Sequence, residues 1–200
     1  MKKISLIASA AMALMTSAVF AQTPAQTPAQ ATVQRDVNQQ QRIENGLQSG
    51  KLTTREAAAL EREQSKVDKM QARDMKDGKV SAAERQRLAA AQNKVSRDIE
   101  TAKNNGVNGN PLSSSSQRMQ ADVQRNVNQE KRIEAGLANG SLTKREAARM
   151  EQGQAHVDRA EARAGADGHV GAAEQAHVQR AENRQSGRIH RAKTNGTTAG

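Results

Sequence analysis

The 200-residue chain has no cysteine, tryptophan or tyrosine, one phenylalanine and three prolines. Each shortage excludes something. Without cysteine there is no disulfide, no thiol nucleophile and no thiolate ligand for a soft metal. The lone Phe20 lies in an N-terminal apolar run, so the rest of the chain carries no phenyl, phenol or indole ring. That removes a stacking platform for single-stranded nucleic acid and a cage for sugars or quaternary amines. It also removes the side chains around which deep cores are usually built. There is no Gly-x-Ser-x-Gly elbow and no glycine-rich phosphate loop. The chain is therefore read as non-enzymatic, with no cofactor.

What is present begins with an address. Met1-Lys2-Lys3 precedes an apolar, small-residue run from Ile4 to Phe20, and Val19-Phe20-Ala21 supplies the small residues that signal peptidase reads. The expectation is a cleavable signal peptide over 1–21 and a bacterial periplasmic or secreted protein. The run is short for a membrane span and no stop-transfer pattern follows it. Residues 22–32, with Pro24 and Pro28 among Gln, Thr and Ala, read as a flexible leader.

From Val33 the chain repeats itself. Residues 33–106 align without a gap on 123–196, and 38 of the 74 positions are identical. That is a tandem duplication. A linker over 107–122, whose turn formers run from Val107 to Gln117, joins the copies, and 197–200 is a tail. Within repeat 1 the apolar spacing predicts three helices, about Val33 to Gln48, Thr54 to Met75 and Ala82 to Lys103. Repeat 2 copies them through Ile133, Leu137, Met150, Val157, Val178 and Ile189. The fold class is all-α, with two tandem three-helix repeats after the signal peptide. Repeat 1 offers thirteen large aliphatic side chains and repeat 2 only ten, so each core is thin.

One motif recurs at both corners of each repeat. Gly50-Lys51-Leu52-Thr53-Thr54-Arg55-Glu56 returns as Gly78 to Glu84, Gly140 to Glu146 and, lacking only the hydroxyl, Gly168 to Glu174. The glycine closes one helix, and the hydroxyl and carboxylate form a capping box for the next. The capping positions are Gly50, Thr53, Glu56, Gly78, Ser81, Glu84, Gly140, Thr143, Glu146, Gly168 and Glu174. Leu52, just before its cap, is placed to pack where the two helices meet.

The same corners resemble the second half of an EF-hand calcium loop. With Gly78 as the loop glycine, Asp77, Ser81 and Glu84 take ligand positions. Arg73 and Met75 stand where the first two carboxylates belong, and Arg163 and Gly165 stand there in the copy around Gly168. The resemblance implies EF-hand-like helix pairs with degenerate loops. Asp77, Glu84, Asp167 and Glu174 are the candidate cation ligands it offers. The words Arg-Ile-Glu-x-Gly-Leu-x-x-Gly-x-Leu-Thr-x-Arg-Glu-Ala and Asp-Gly-x-Val-x-x-x-Glu also resemble small exported proteobacterial proteins of unassigned function. That resemblance brings no activity with it.

Charge and histidine complete the reading. The chain carries net +10, spread over both repeats and interleaved with acids, so weak attraction to polyanions is expected. The expected partner is a protein or an envelope polyanion, with nucleic-acid binding only nonspecific. The remaining carboxylates alternate with Arg and Lys at helical spacing and read as surface ion pairs. The four histidines all lie in repeat 2. His156 and His177 come to similar heights if the helices fold back around Gly168, and they are candidate transition-metal ligands. Two functions follow: an exported binding or interaction module, or a periplasmic divalent-cation binder or sensor using the degenerate loops or the histidines.

Overall fold

A computed structural model describes residues 26–197 of the chain. The expected signal peptide and the first part of the leader lie outside the described residues. The described chain is all-helical, with six helices: α1 (Pro28–Gln48), α2 (Thr54–Asp74), α3 (Ala82–Lys103), α4 (Ser114–Ala138), α5 (Lys144–Ala164) and α6 (Ala172–Thr194). Among the described residues no helix is long and apolar enough to cross a membrane.

Two boundaries differ from the sequence reading. The leader does not run to residue 32, because α1 begins at Pro28. Thr27 caps it and Gln30 completes a capping box, while proline's fixed φ suits the first helical position. Likewise the linker ends early: Ser113 caps α4 by accepting a hydrogen bond from Ser116 N. The linker is also docked, since Gly109 N donates to Gly50 O at 2.8 Å.

The helices of the two halves interleave. α2 packs along α5, and α1 along α4, more extensively than either packs within its own half. The pairs are antiparallel: Thr54 and Ala58 at the start of α2 meet Gly165 just past the end of α5. α3 lies across α1 and α2 on one flank, and α6 across α4 and α5 on the other. The middle of the molecule is thus a four-helix layer drawn from both halves.

The apolar core is split in two, and each part takes residues from both halves. One cluster joins Ile43, Leu47, Leu52, Leu60, Val95 and Ile99 to Met119, Val123, Val170 and Val178. The other joins Ala29, Val33 and Met75 to Ile133, Leu142, Met150 and Ile189. Pooling the two halves makes up for the scarcity of large side chains in each. Close approach helps as well. Leu52 sits directly against Gly46 and Leu142 against Gly136, where any added Cβ would lie 2.5 and 2.6 Å from a leucine carbon.

Candidate functional site

The corners come first, since sequence placed candidate ligands there. Gly50, Gly78, Gly140 and Gly168 all have positive φ, between 71° and 91°, as a left-handed helix terminator requires. At the next residues along, Thr53 Oγ1 accepts from Glu56 N at 3.2 Å, and Thr53 N donates to Glu56 Oε2 at 2.9 Å. Ser81 and Glu84 do the same at 3.3 and 2.7 Å, and Thr143 and Glu146 at 3.2 and 2.9 Å. Gly171 has no hydroxyl, yet its N–H still donates to Glu174 Oε2 at 2.7 Å.

These contacts already engage one oxygen of each candidate ligand. Asp77 Oδ1 accepts from Lys79 N and Asp167 Oδ1 from His169 N, both at 2.8 Å. Moreover, each of these two loops is clamped by an arginine of the other half. Arg55 donates to Asp167 O at 2.6 Å and Arg145 to Asp77 O. Asp77, Glu84, Asp167 and Glu174 belong to no group of three or more converging metal-ligand side chains among the described residues. His156 and His177 do share one surface cavity between α5 and α6, but no carboxylate lines it with them.

The converging donors lie in the interior, where the sequence reading expected none. Two triads of carboxylates each have one oxygen per residue within 4.8 Å of the others. The first is Asp36, Asp68 and Glu151; the second is Glu61, Asp158 and Glu161. All six side chains are buried, at 0–2% exposure. They were expected to be surface ion pairs. The helical period instead carries them inward: Glu61, Gln64, Asp68 and Gln71 recur every three or four residues on the buried side of α2, as Glu151, Gln154, Asp158 and Glu161 do on α5. The Arg and Lys residues between them point elsewhere.

The triads correspond through the ninety-residue offset. Glu61 becomes Glu151 and Asp68 becomes Asp158. Asp36 becomes Asn126 while Gln71 becomes Glu161, so an acid and an amide trade places. In the first site the Gln71 amide nitrogen donates to Asp36 Oδ2, and Gln92 Nε2 donates to Asp36 Oδ1 at 2.8 Å. In the second, Asn126 Nδ2 donates to Glu161 Oε2 at 2.7 Å and to Asp158 Oδ1 at 3.2 Å. Asp68 and Asp158 perturb each other's ionisation and so link the two sites.

Charge compensation is missing. No salt bridge reaches a triad carboxylate among the described residues; of the interior acids only Asp74 and Glu182 are paired, with Arg73 and Arg125. Burial then dominates, since removal from water disfavours the ionised form. It pushes Asp36 and Glu61 up to about 7, despite the amides that favour ionisation. Asp68, Glu151, Asp158 and Glu161 are raised well above the usual carboxylate range, first by burial and then by the charge of neighbouring carboxylates, Asp36 and Glu61 among them. Neighbouring Asp122 rises to about 7 and Glu182 to about 8, again first through burial.

Oxygens are also left without partners. Both carboxylate oxygens of Glu151 find no hydrogen bond, nor do Glu61 Oε1, Asp158 Oδ2 and Glu161 Oε1. The amide oxygens of Gln71 and Asn126, whose nitrogens already touch the triads, are orphaned too. Each such buried group costs roughly 1–3 kcal/mol. Chemically, the arrangement offers three converging carboxylates at each of two places, with a neutral amide beside them, all shielded from water. No family model, curated protein or solved structure matches this chain.

Proposed function

We propose that the protein is a non-enzymatic, exported binder of hard divalent cations, which it holds at the two interior triads in exchange for protons. The observation that carries this is the convergence of two carboxylate triads at 0–2% exposure, with orphaned oxygens on Glu151, Glu61, Asp158 and Glu161 and no salt bridge to any of the six among the described residues. All-oxygen donor sets suit Ca²⁺, Mg²⁺ and Mn²⁺; Zn²⁺ and Cu²⁺ would favour imidazole or thiolate. Three carboxylates supply up to six oxygens, within reach of the six to eight that Ca²⁺ takes. A bound cation would replace several kcal/mol of desolvation penalty with direct coordination, so ion binding and stability would rise together.

The finer architecture belongs to the same proposal. Two three-helix, EF-hand-like repeats follow a cleaved signal peptide, and their capped corners keep the helix geometry while the cation site has moved inward. The test is calorimetry on the chelator-stripped mature chain, titrated with Ca²⁺ and Mn²⁺ in buffers of different ionisation enthalpy. Saturable binding of up to two ions with proton release is expected. A Glu61→Gln, Glu151→Gln double variant should lose it while melting higher than the parent in chelator. Absence of both heat and thermal stabilisation with either ion refutes the reading and leaves an interaction module whose partner contacts its surface.

A further inference from the structure

The duplication supplies an internal comparison at the groove between the second and third helices of each half. In the first half this groove is bridged by ion pairs. Lys94 reaches Glu63 at 3.2 Å and Asp98 at 2.6 Å, and Lys66 reaches Glu63 at 2.7 Å. In the second half both acids are gone. Gly153 stands in place of Glu63 and Arg188 in place of Asp98, while Arg184 replaces Lys94.

The result is a cavity of about 280 Å³ between α5 and α6. Arg159, Arg163, Arg184, Arg188, His156 and His177 are among the residues that line it, and no carboxylate does. None of the four guanidiniums makes a salt bridge or donates a hydrogen bond among the described residues, and Arg159 Nε is buried without a partner. Unpaired cations gathered in one recess repel each other and concentrate positive potential there. Gly153 leaves room for the buried Gln185 side chain, since a Cβ at this position would lie 1.9 Å from Gln185 Oε1.

From this geometry we infer that the α5–α6 groove is a binding site for a phosphoryl oxyanion, with Arg159, Arg184 and Arg188 as its main donors. Guanidinium groups match phosphate oxygens as paired donors, which lysine cannot do. The second half has arginine at all three of these positions, where the first has Lys69, Lys94 and Asp98. The cavity volume suits a single phosphoryl or diphosphoryl group. The imidazole of His156 reports on occupancy. Its ring lines the cavity together with the arginines, so an anion held there changes its surroundings.

The experiment uses the mature chain in chelator, so that it does not depend on the cation sites. Inorganic phosphate is titrated while the His156 ring is followed by NMR, and vesicles of phosphatidylglycerol or phosphatidylcholine form a parallel arm. Phosphate should saturate and shift the His156 ring resonances at constant pH. Arg184→Gln and Arg188→Asp, both exposed positions, should each weaken binding by about tenfold or more, whereas Arg87→Gln in the first half should not. Phosphatidylglycerol vesicles that bind the parent but not Arg188→Asp would identify a lipid headgroup as the source. Free phosphate binding with indifferent vesicles would identify a soluble phosphoryl compound. Phosphate that leaves His156 unmoved, or that moves it equally in every variant, overturns the site.

Discussion

Raising the pH should destabilise the metal-free protein across the range in which most proteins are at their best. The buried carboxyls keep their protons in the folded chain and lose them in the unfolded one. For each group with a raised pKa, the stabilisation is complete below the unfolded value near 4 and is lost as pH climbs through the folded value. For Asp36, Glu61 and Asp122 the folded value is about 7 and for Glu182 about 8. Between about pH 5 and 7 every such group removes about 1.4 kcal/mol per pH unit. Asp36 alone, moved from 3.8 to about 7, accounts for roughly 4 kcal/mol once fully ionised. A whole domain has only about 5–15 kcal/mol in hand, so two such groups would dominate the profile.

Opposing groups act elsewhere or weakly. At Glu56, burial works against ionisation, but hydrogen bonds from Thr53 and Asn105 outweigh it and lower the pKa. Glu146 behaves alike through Asn195 and Thr143. Their contribution is present above about pH 4.5 and lost only as pH falls further. His156, whose pKa is lowered by partial burial and by Arg159, Arg188 and Lys69, gains stability as pH rises toward 6.5, but it is one group against several. Urea denaturation in chelator should therefore show a maximum near pH 5 and a clear fall by about pH 7.5. Excess Ca²⁺ or Mn²⁺ should offset part of the fall, by about 2.7 kcal/mol per occupied site at a hundredfold excess over Kd. A midpoint that rises or stays level between those pH values in chelator would show that the interior acids are ionised at little cost, and the proton-exchange argument would fail.

Other perturbations address the frame. Thr53→Ala and Thr143→Ala each remove a helix cap and should cost about 1 kcal/mol in urea denaturation, with no change in ion stoichiometry. Gly46→Ala and Gly136→Ala place a methyl against Leu52 and Leu142 and should cost about 1–3 kcal/mol. Substituting Asp77 and Asp167 by Asn should leave cation affinity unchanged in calorimetry, because those carboxylates serve their own turns.

The ends of the helices could be read from sequence, but not the contents of the middle. Caps are local: Thr53 and Glu56 are three residues apart, and their chemistry marks the start of α2 whatever the rest of the chain does. The same local strength hid Pro28, where a proline taken for a flexible leader is the first residue of α1. The triads depend on contacts between residues about ninety apart, such as Asp68 with Glu151, which no window along the chain contains. A signal was nonetheless present. Glu61, Gln64 and Asp68 are repeated unchanged as Glu151, Gln154 and Asp158 on the side that also carries Leu60 and Met150. Polar residues kept in both copies on an otherwise apolar stripe are poor candidates for solvent-facing ion pairs. Their neighbours Arg62, Lys66 and Lys69 invited that reading because they fill the intervening positions.

The lengthwise embrace of α2 by α5 has a consequence for any half-length version of this chain. Cut after residue 106, the first half would present Glu61, Asp68 and the aliphatic side of α2 to water, with nothing of its own to cover them. It would need a twin in the place of the missing half. Such a twin would bring its own Glu61 beside Asp68, much as Glu151 stands there now. A truncated gene product should thus be found as a homodimer or not folded at all.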